Sequence, residues 1–171
     1  MKIEFEALIA TLERLPEDSA QRMIEALCAH RRVFVQGAGR SGLMIRAFAM
    51  RLAQAGYTVY AVGDVTTPAI GAGDLLLVAS ASGETAGVVR AAEVARAVGA
   101  TVFALTAKER SSLTALADYS IRFSAPTKNE TGAGGVMGTL FEQSILLFGD
   151  AGIEELCVDA AEMRARHANL E

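Results

Sequence analysis

The chain has 171 residues, 16 Lys+Arg against 20 Asp+Glu, a formal net charge of −4, and 51% hydrophobic residues against 21% charged. That composition excludes a disordered acidic tail or a low-complexity scaffold. The mild acidity also counts against a nucleic-acid-binding face, which is basic, while a local pocket can still be positive and take an anion.

The start, Met1-Lys2-Ile3-Glu4-Phe5-Glu6, is too acidic for a secretory leader. No apolar run approaches the ~20 residues of a membrane helix, so a soluble cytoplasmic protein is expected. Residues 3–30 read as helix: Leu8, Ile9, Leu12 and Leu15 recur at helical spacing, Pro16-Glu17-Asp18-Ser19 punctuates, and Met23, Ile24, Leu27 and Cys28 resume the stripe. His30 reads as helix-end decoration beside Arg31 and Arg32. Val33–Val35 is a strand running into Gly37-Ala38-Gly39-Arg40-Ser41-Gly42, then a helix runs from Leu43 to Ala55. Residues 58–62 and the fully apolar 75–79 are strands, the second of the kind buried on both faces. Ser80-Ala81-Ser82-Gly83-Glu84-Thr85 leads into a helix over 88–98. A strand at 101–105, a short helix at 113–117 and an edge strand at 119–123 follow. Residues 136–148 and 153–167 read as the last two helices. Cys28 and Cys157 lie among apolar neighbours and read as buried thiols; two cysteines supply neither a disulfide framework nor a paired-thiolate metal site.

Strand–helix alternation predicts an α/β fold: one domain over 1–171, with a parallel sheet between helical layers and a helical N-terminal segment over 1–32. Ligands of such sheets bind at the carboxyl ends of the strands, where strand order reverses. Two Gly/Ser-rich loops lie at such ends. The first, residues 37–42, matches the glycine fingerprint of dinucleotide-binding folds. Asp64 comes late for a ribose-binding acid, however, and two helices precede the first strand. The second loop crowds Ser80, Ser82 and Thr85 on one strand-to-helix turn. Hydroxyls and free helix-start N–H groups there make an anion site, and Gly83 allows close backbone approach. The alternative is that these hydroxyls cap the following helix.

The two loops together resemble the sugar isomerase (SIS) family, and within it the 6-phospho-3-hexuloisomerase group. The supporting stretches are residues 46–52, 62–68, 138–143 and the ending Arg166-His167-Ala168-Asn169-Leu170-Glu171. Ala81 departs from the family's usual glycine or small polar residue. The resemblance implies a three-layer α/β/α sandwich with a five-stranded parallel sheet, flavodoxin-like in plan. It also implies a homo-oligomer, dimer or tetramer, with active sites at subunit boundaries, and neither metal nor organic cofactor. The implied reaction is a ketose–ketose isomerisation, reversible between 3-hexulose 6-phosphate and fructose 6-phosphate, within the ribulose monophosphate pathway of formaldehyde fixation.

Moving a carbonyl from C3 to C2 through a cis-enediol requires a base for the carbon proton and an acid for the oxygens. Glu142, flanked by Leu140, Phe141 and Ile145, is the candidate base, in an apolar setting suited to that work. His167 is the candidate shuttle; near the chain end, it would reach a site by docking into a neighbour. The two roles are interchangeable on sequence alone. Gly39, Arg40, Ser41, Ser80, Ser82, Gly83 and Thr85 are the expected substrate-binding residues. Arg46 and Arg51 join this substrate-binding set, facing inward to sugar hydroxyls or a partner's carboxylate; the alternative is ordinary surface charge. Glu84 reads as structural. Lys128, Asn129 and Glu130 precede Thr131–Gly135, which reads as a lid or a plain connection. The rival readings are a non-catalytic sugar-phosphate sensor and an isomerase of another sugar phosphate.

Overall fold

A computed structural model describes residues 5–130 and 137–170. The elements are α1 (Phe5–Glu13), α2 (Ser19–Ala29), β1 (Arg32–Gly37), α3 (Gly39–Gln54), β2 (Thr58–Ala61), β3 (Leu75–Ser80), α4 (Ala86–Ala97), β4 (Thr101–Thr106), α5 (Ser112–Leu116), β5 (Tyr119–Arg122), α6 (Thr139–Glu155) and α7 (Ala160–Ala165). The five strands form one sheet in the order β2-β1-β3-β4-β5, every pair parallel.

Alternation along the strands sends side chains to two cores. On one face Val33, Val35, Leu75, Leu77, Phe103 and Leu105 pack with Met23 and Leu27 of α2, Phe48 of α3 and Phe141, Phe148 and Ile153 of α6. On the other, Phe34, Leu76, Val78, Val102 and Ala104 meet Val88, Ala92 and Ala95 of α4 and Leu113 of α5. All six residues of β3 are buried, as its apolar run predicts. The short α5 is started by a capping box, Ser111 accepting from the Thr114 N–H while Thr114 Oγ1 accepts from the Ser111 N–H.

Four expectations are corrected. The expected break between residues 148 and 153 is absent: α6 runs to Glu155 and α7 is confined to Ala160–Ala165. Gly149 and Gly152 are contact points rather than stops. A Cβ at Gly149 would sit 2.8 Å from the Phe48 ring, and one at Gly152 2.3 Å from Met23 Cε. The helix ends where Cys157 turns left-handed at φ 52°. Cys28 and Cys157 are exposed, not buried. Cys28 Sγ lies 3.8 Å from the Tyr57 hydroxyl, whose proton is held up to about 12, by burial first and then by this contact. His30 is no decoration: its ring bridges the Ala26 carbonyl (2.6 Å) and Thr101 Oγ1 (2.8 Å), tying α2 to β4. Finally, α3 begins at Gly39, inside the expected loop. The expected starts at residues 3 and 136 and the loop at 131–135 lie outside the described residues. Among the described residues no helix is long and apolar enough to cross a membrane.

At the amino end of the sheet, Arg32 donates from Nε and Nη2 to both carboxylate oxygens of Asp74, at 2.8 and 2.5 Å. The Gly71 N–H adds a third bond to that carboxylate, which is almost completely buried. The Arg32 bonds, with help from Gly71, hold the Asp74 carboxyl below the usual range against the opposing effect of burial. A group so lowered stabilises the fold fully above its unfolded value, about pH 4. That contribution disappears as pH falls through the lower folded value. Asp74→Asn should therefore reduce stability at pH 7 by about 2 kcal/mol, the scale of a bond to a charged group. On this chain length that is a Tm loss of roughly 4–8 °C. Thermal melts should also show a smaller loss between pH 4 and pH 2 than in the parent.

Candidate active site

The chain leaves β1 for β2 on one side and returns to β3 on the other, so strand order reverses between β1 and β3. Gly37 and Ala79 are paired in register, which starts the two Gly/Ser loops side by side. A cleft of about 420 Å³ opens there. The N-termini of α3, α4 and α6 all reach its wall, through Gly39, Thr85 and Gly138. Converging helix N-termini attract an anion.

The first loop is set by contact between backbones. A Cβ on Gly37 would lie 2.9 Å from Gly42 Cα, and one on Gly42 2.6 Å from the Gly37 carbonyl oxygen. With both side chains absent, α3 starts hard against the end of β1, and Arg40 and Ser41 face the cleft. In the second loop the buried Ser80 hydroxyl accepts from the Gly83 N–H (3.1 Å) and lies 2.9 Å from the Thr85 hydroxyl. Thr85 occupies the cap position of α4 without capping it. The Ser80 and Thr85 hydroxyls therefore pair with each other, Ser82 Oγ accepts from the Glu84 N–H (3.2 Å), and the cap residue Thr85 makes no side-chain cap bond to α4, contrary to the capping alternative. Glu84 turns outward and accepts from the Ser112 N–H (2.8 Å) and hydroxyl (2.6 Å). The Ser112 hydroxyl bond and then its N–H bond hold this carboxyl below its ordinary range.

Glu142 sits in the first turn of α6, 7% exposed, and lines the cleft. Arg40 Nε donates to its Oε2 at 2.5 Å. Glu142 is the only carboxylate among the described residues lining the cleft, and Arg40 and Lys128 are the cations there. The segment after β5 is braced from outside. Glu130 accepts from Lys108 Nζ (2.5 Å) and the Thr127 N–H (2.8 Å), bonds that hold its carboxyl down at about 2. This brace leaves Thr127, Lys128 and Asn129 on the cleft wall.

Of the residues expected from sequence, Gly39, Arg40, Ser41, Ser80, Ser82, Thr85 and Glu142 come together on the cleft. Gly83 shapes the second loop without lining it. Arg46 and Arg51 do not face the cleft: Arg46 pairs with Asp64 at 2.7 Å, and Arg51 bonds Gln54 and lies 3.8 Å from Asp150. His167 is exposed, and the preceding Arg166 donates to the Gln54 carbonyl at the far end of α3. His167 does not line the cleft of its own chain. Sequence reasoning missed Thr127, Met137, Gly138 and the cleft-facing position of Phe141. The available signal was the polar run after Pro126, since it follows the carboxyl end of a parallel strand. Among the described residues no three His, Cys, Asp or Glu side chains gather as a metal site.

A family model for the SIS domain matches residues 26–147. The chain belongs to the SIS domain family. It is 49% identical to a Mycobacterium gastri protein named 3-hexulose-6-phosphate isomerase, over 82% of this chain and 74% of that one. A Bacillus subtilis protein of the same name is 37% identical, over 92% and 89%. A crystal structure from Methanococcus jannaschii, whose authors infer 3-hexulose-6-phosphate isomerase function, superimposes with a TM-score of 0.85 at 30% identity, covering 97% of this chain and 96% of that one. The SIS fold expected from sequence is thus the fold found.

Gly83 gives the site a sharp test. Its φ is +67°, and a Cβ there would meet Ser111 Oγ at 2.1 Å. Gly83→Ala should cost about 1–3 kcal/mol from overpacking and left-handed strain, measured by denaturant melts. An unshifted midpoint would show that the loop relaxes freely.

Proposed function

We propose that this chain interconverts 3-hexulose 6-phosphate and fructose 6-phosphate. The observation that carries the reading is one cleft holding both a hydroxyl loop at converging helix starts and a single buried carboxylate. The three relatives described above, two named for this reaction and one inferred to perform it, supply the substrate. A cytoplasmic place in the ribulose monophosphate pathway follows from that substrate.

The phosphate sits at Ser80, Ser82 and Thr85, against the start of α4, and Gly39 and Ser41 face the sugar. This leaves the carbonyl end toward Glu142. A Glu142 carboxylate oxygen takes the proton from C2 of the 3-ketose as the C3 carbonyl oxygen gains one, giving the 2,3-enediol. The O2–H proton then leaves as Glu142 returns a proton to C3, and the carbonyl stands at C2. Arg40 orients the carboxylate through the Nε–Oε2 bond. Its remaining guanidinium edge is available to a developing enediolate oxygen.

His167 serves as the oxygen shuttle only from a second copy of the chain, given its place in its own. We assign the chain a homo-oligomeric state with clefts at subunit boundaries. On α6, Leu140, Phe141, Ile145, Phe148 and Ile153 are buried within one chain and so give no support to this. The support comes instead from Leu43, Met50 and Leu147, large apolar side chains left exposed on α3 and α6.

Glu142→Gln should lower kcat by about 10²–10⁴-fold, the usual worth of a positioned base. Calorimetry should show fructose 6-phosphate still bound. Turnover at the parent rate would remove Glu142 from the mechanism. Ser82→Ala should instead weaken binding by about 1–3 kcal/mol.

A further inference from the structure

A second polar cavity, of about 210 Å³, lies between the α1–α2 turn and β5. Arg14, Arg22 and Arg122 line it together with Ser19, Ser120 and Ser124, and no carboxylate does. Among the described residues, Arg14 and Arg22 take part in no ion pair. Arg122 has only Glu109, at 3.8 Å and largely exposed. Three guanidinium groups converge on this small cavity, Arg22 half-buried and Arg14 and Arg122 exposed, and an anion joining them offsets the mutual repulsion that water only partly screens.

Ser19 supplies an independent observation. It is 2% exposed, lines this cavity, and its buried Oγ has no hydrogen-bond partner. Buried hydroxyls are normally bonded, and an exception calls for a partner. Ser19 is also the first residue of α2, and the preceding Asp18 makes no side-chain cap bond. Planar arginine forks match the oxygen spacing of phosphate.

We propose that Arg14, Arg22, Arg122 and Ser19 form a second anion site that binds a phosphoryl group, carried by inorganic phosphate or by a compact phosphomonoester. This site does not depend on the reaction assigned to the cleft.

The test uses Ser82→Ala protein, to weaken phosphate binding in the cleft, with and without Arg22→Met and Arg122→Met. Thermal melts are recorded against inorganic phosphate and, separately, glycerol 3-phosphate, with chloride at matched ionic strength as control. The expected result is a saturable Tm rise of about 3–6 °C at tenfold the Kd, lost with the arginines. The probe that saturates at lower concentration identifies the carrier class. Should the triple variant not fold, Arg122→Met in the same background, at an exposed strand end, should right-shift the titration. The proposal is overturned if no rise occurs, if chloride gives the same rise, or if the rise survives the arginine changes. It is equally overturned if those changes alter only the sedimentation behaviour, which would make the cavity a subunit contact.

Discussion

The close approach of α3 to the sheet sets the first loop of the cleft and, through α6, the position of Glu142. Gly37 and Gly42 meet backbone to backbone, a distance no side chain permits. The same device continues outward. Phe48 of α3 rests on Gly149 of α6, and Met23 of α2 on Gly152. These contacts fix α6 relative to β1, and therefore fix Glu142 relative to Arg40. The relative placement of Arg40 and Glu142 is an outcome of missing Cβ atoms.

Electrostatics then specialises the cleft in a chain of net charge −4. Helix starts, Arg40 and Lys128 make the local potential positive, although the surface as a whole is not. One carboxylate, already bonded to arginine, stays in that field. Glu84 and Glu130 are turned outward and held by Ser112 and Lys108, so neither adds negative charge to the wall.

Much of this was legible in the sequence because the signals were local. The apolar run of β3 reads as a strand buried on both faces, and three hydroxyls in six residues mark the turn that follows it. Glu142 stood out as a carboxylate in an apolar helix. What escaped was set by partners distant in sequence. Gly149 and Gly152 look like stops because glycine costs about 1 kcal/mol within a helix, yet packing against Phe48 and Met23 offsets that cost. Arg46 and Arg51 were undecidable because Asp64 and Asp150, which draw them away, are reached only through the fold. His30 and Cys28 were misread for the same reason: Thr101 and Tyr57 lie on other elements.

The sheet has one more property that shapes the life of the molecule. Its outermost strands, β2 and β5, have four residues each, against six in each of the three between them. Short margins offer few unpaired main-chain groups to an incoming strand, and Arg122 places charge on one of them. Ribbon-like polymerisation through the margins is thereby discouraged. Any productive self-association is directed through the helical layers, where side-chain shape, rather than generic backbone pairing, selects the partner.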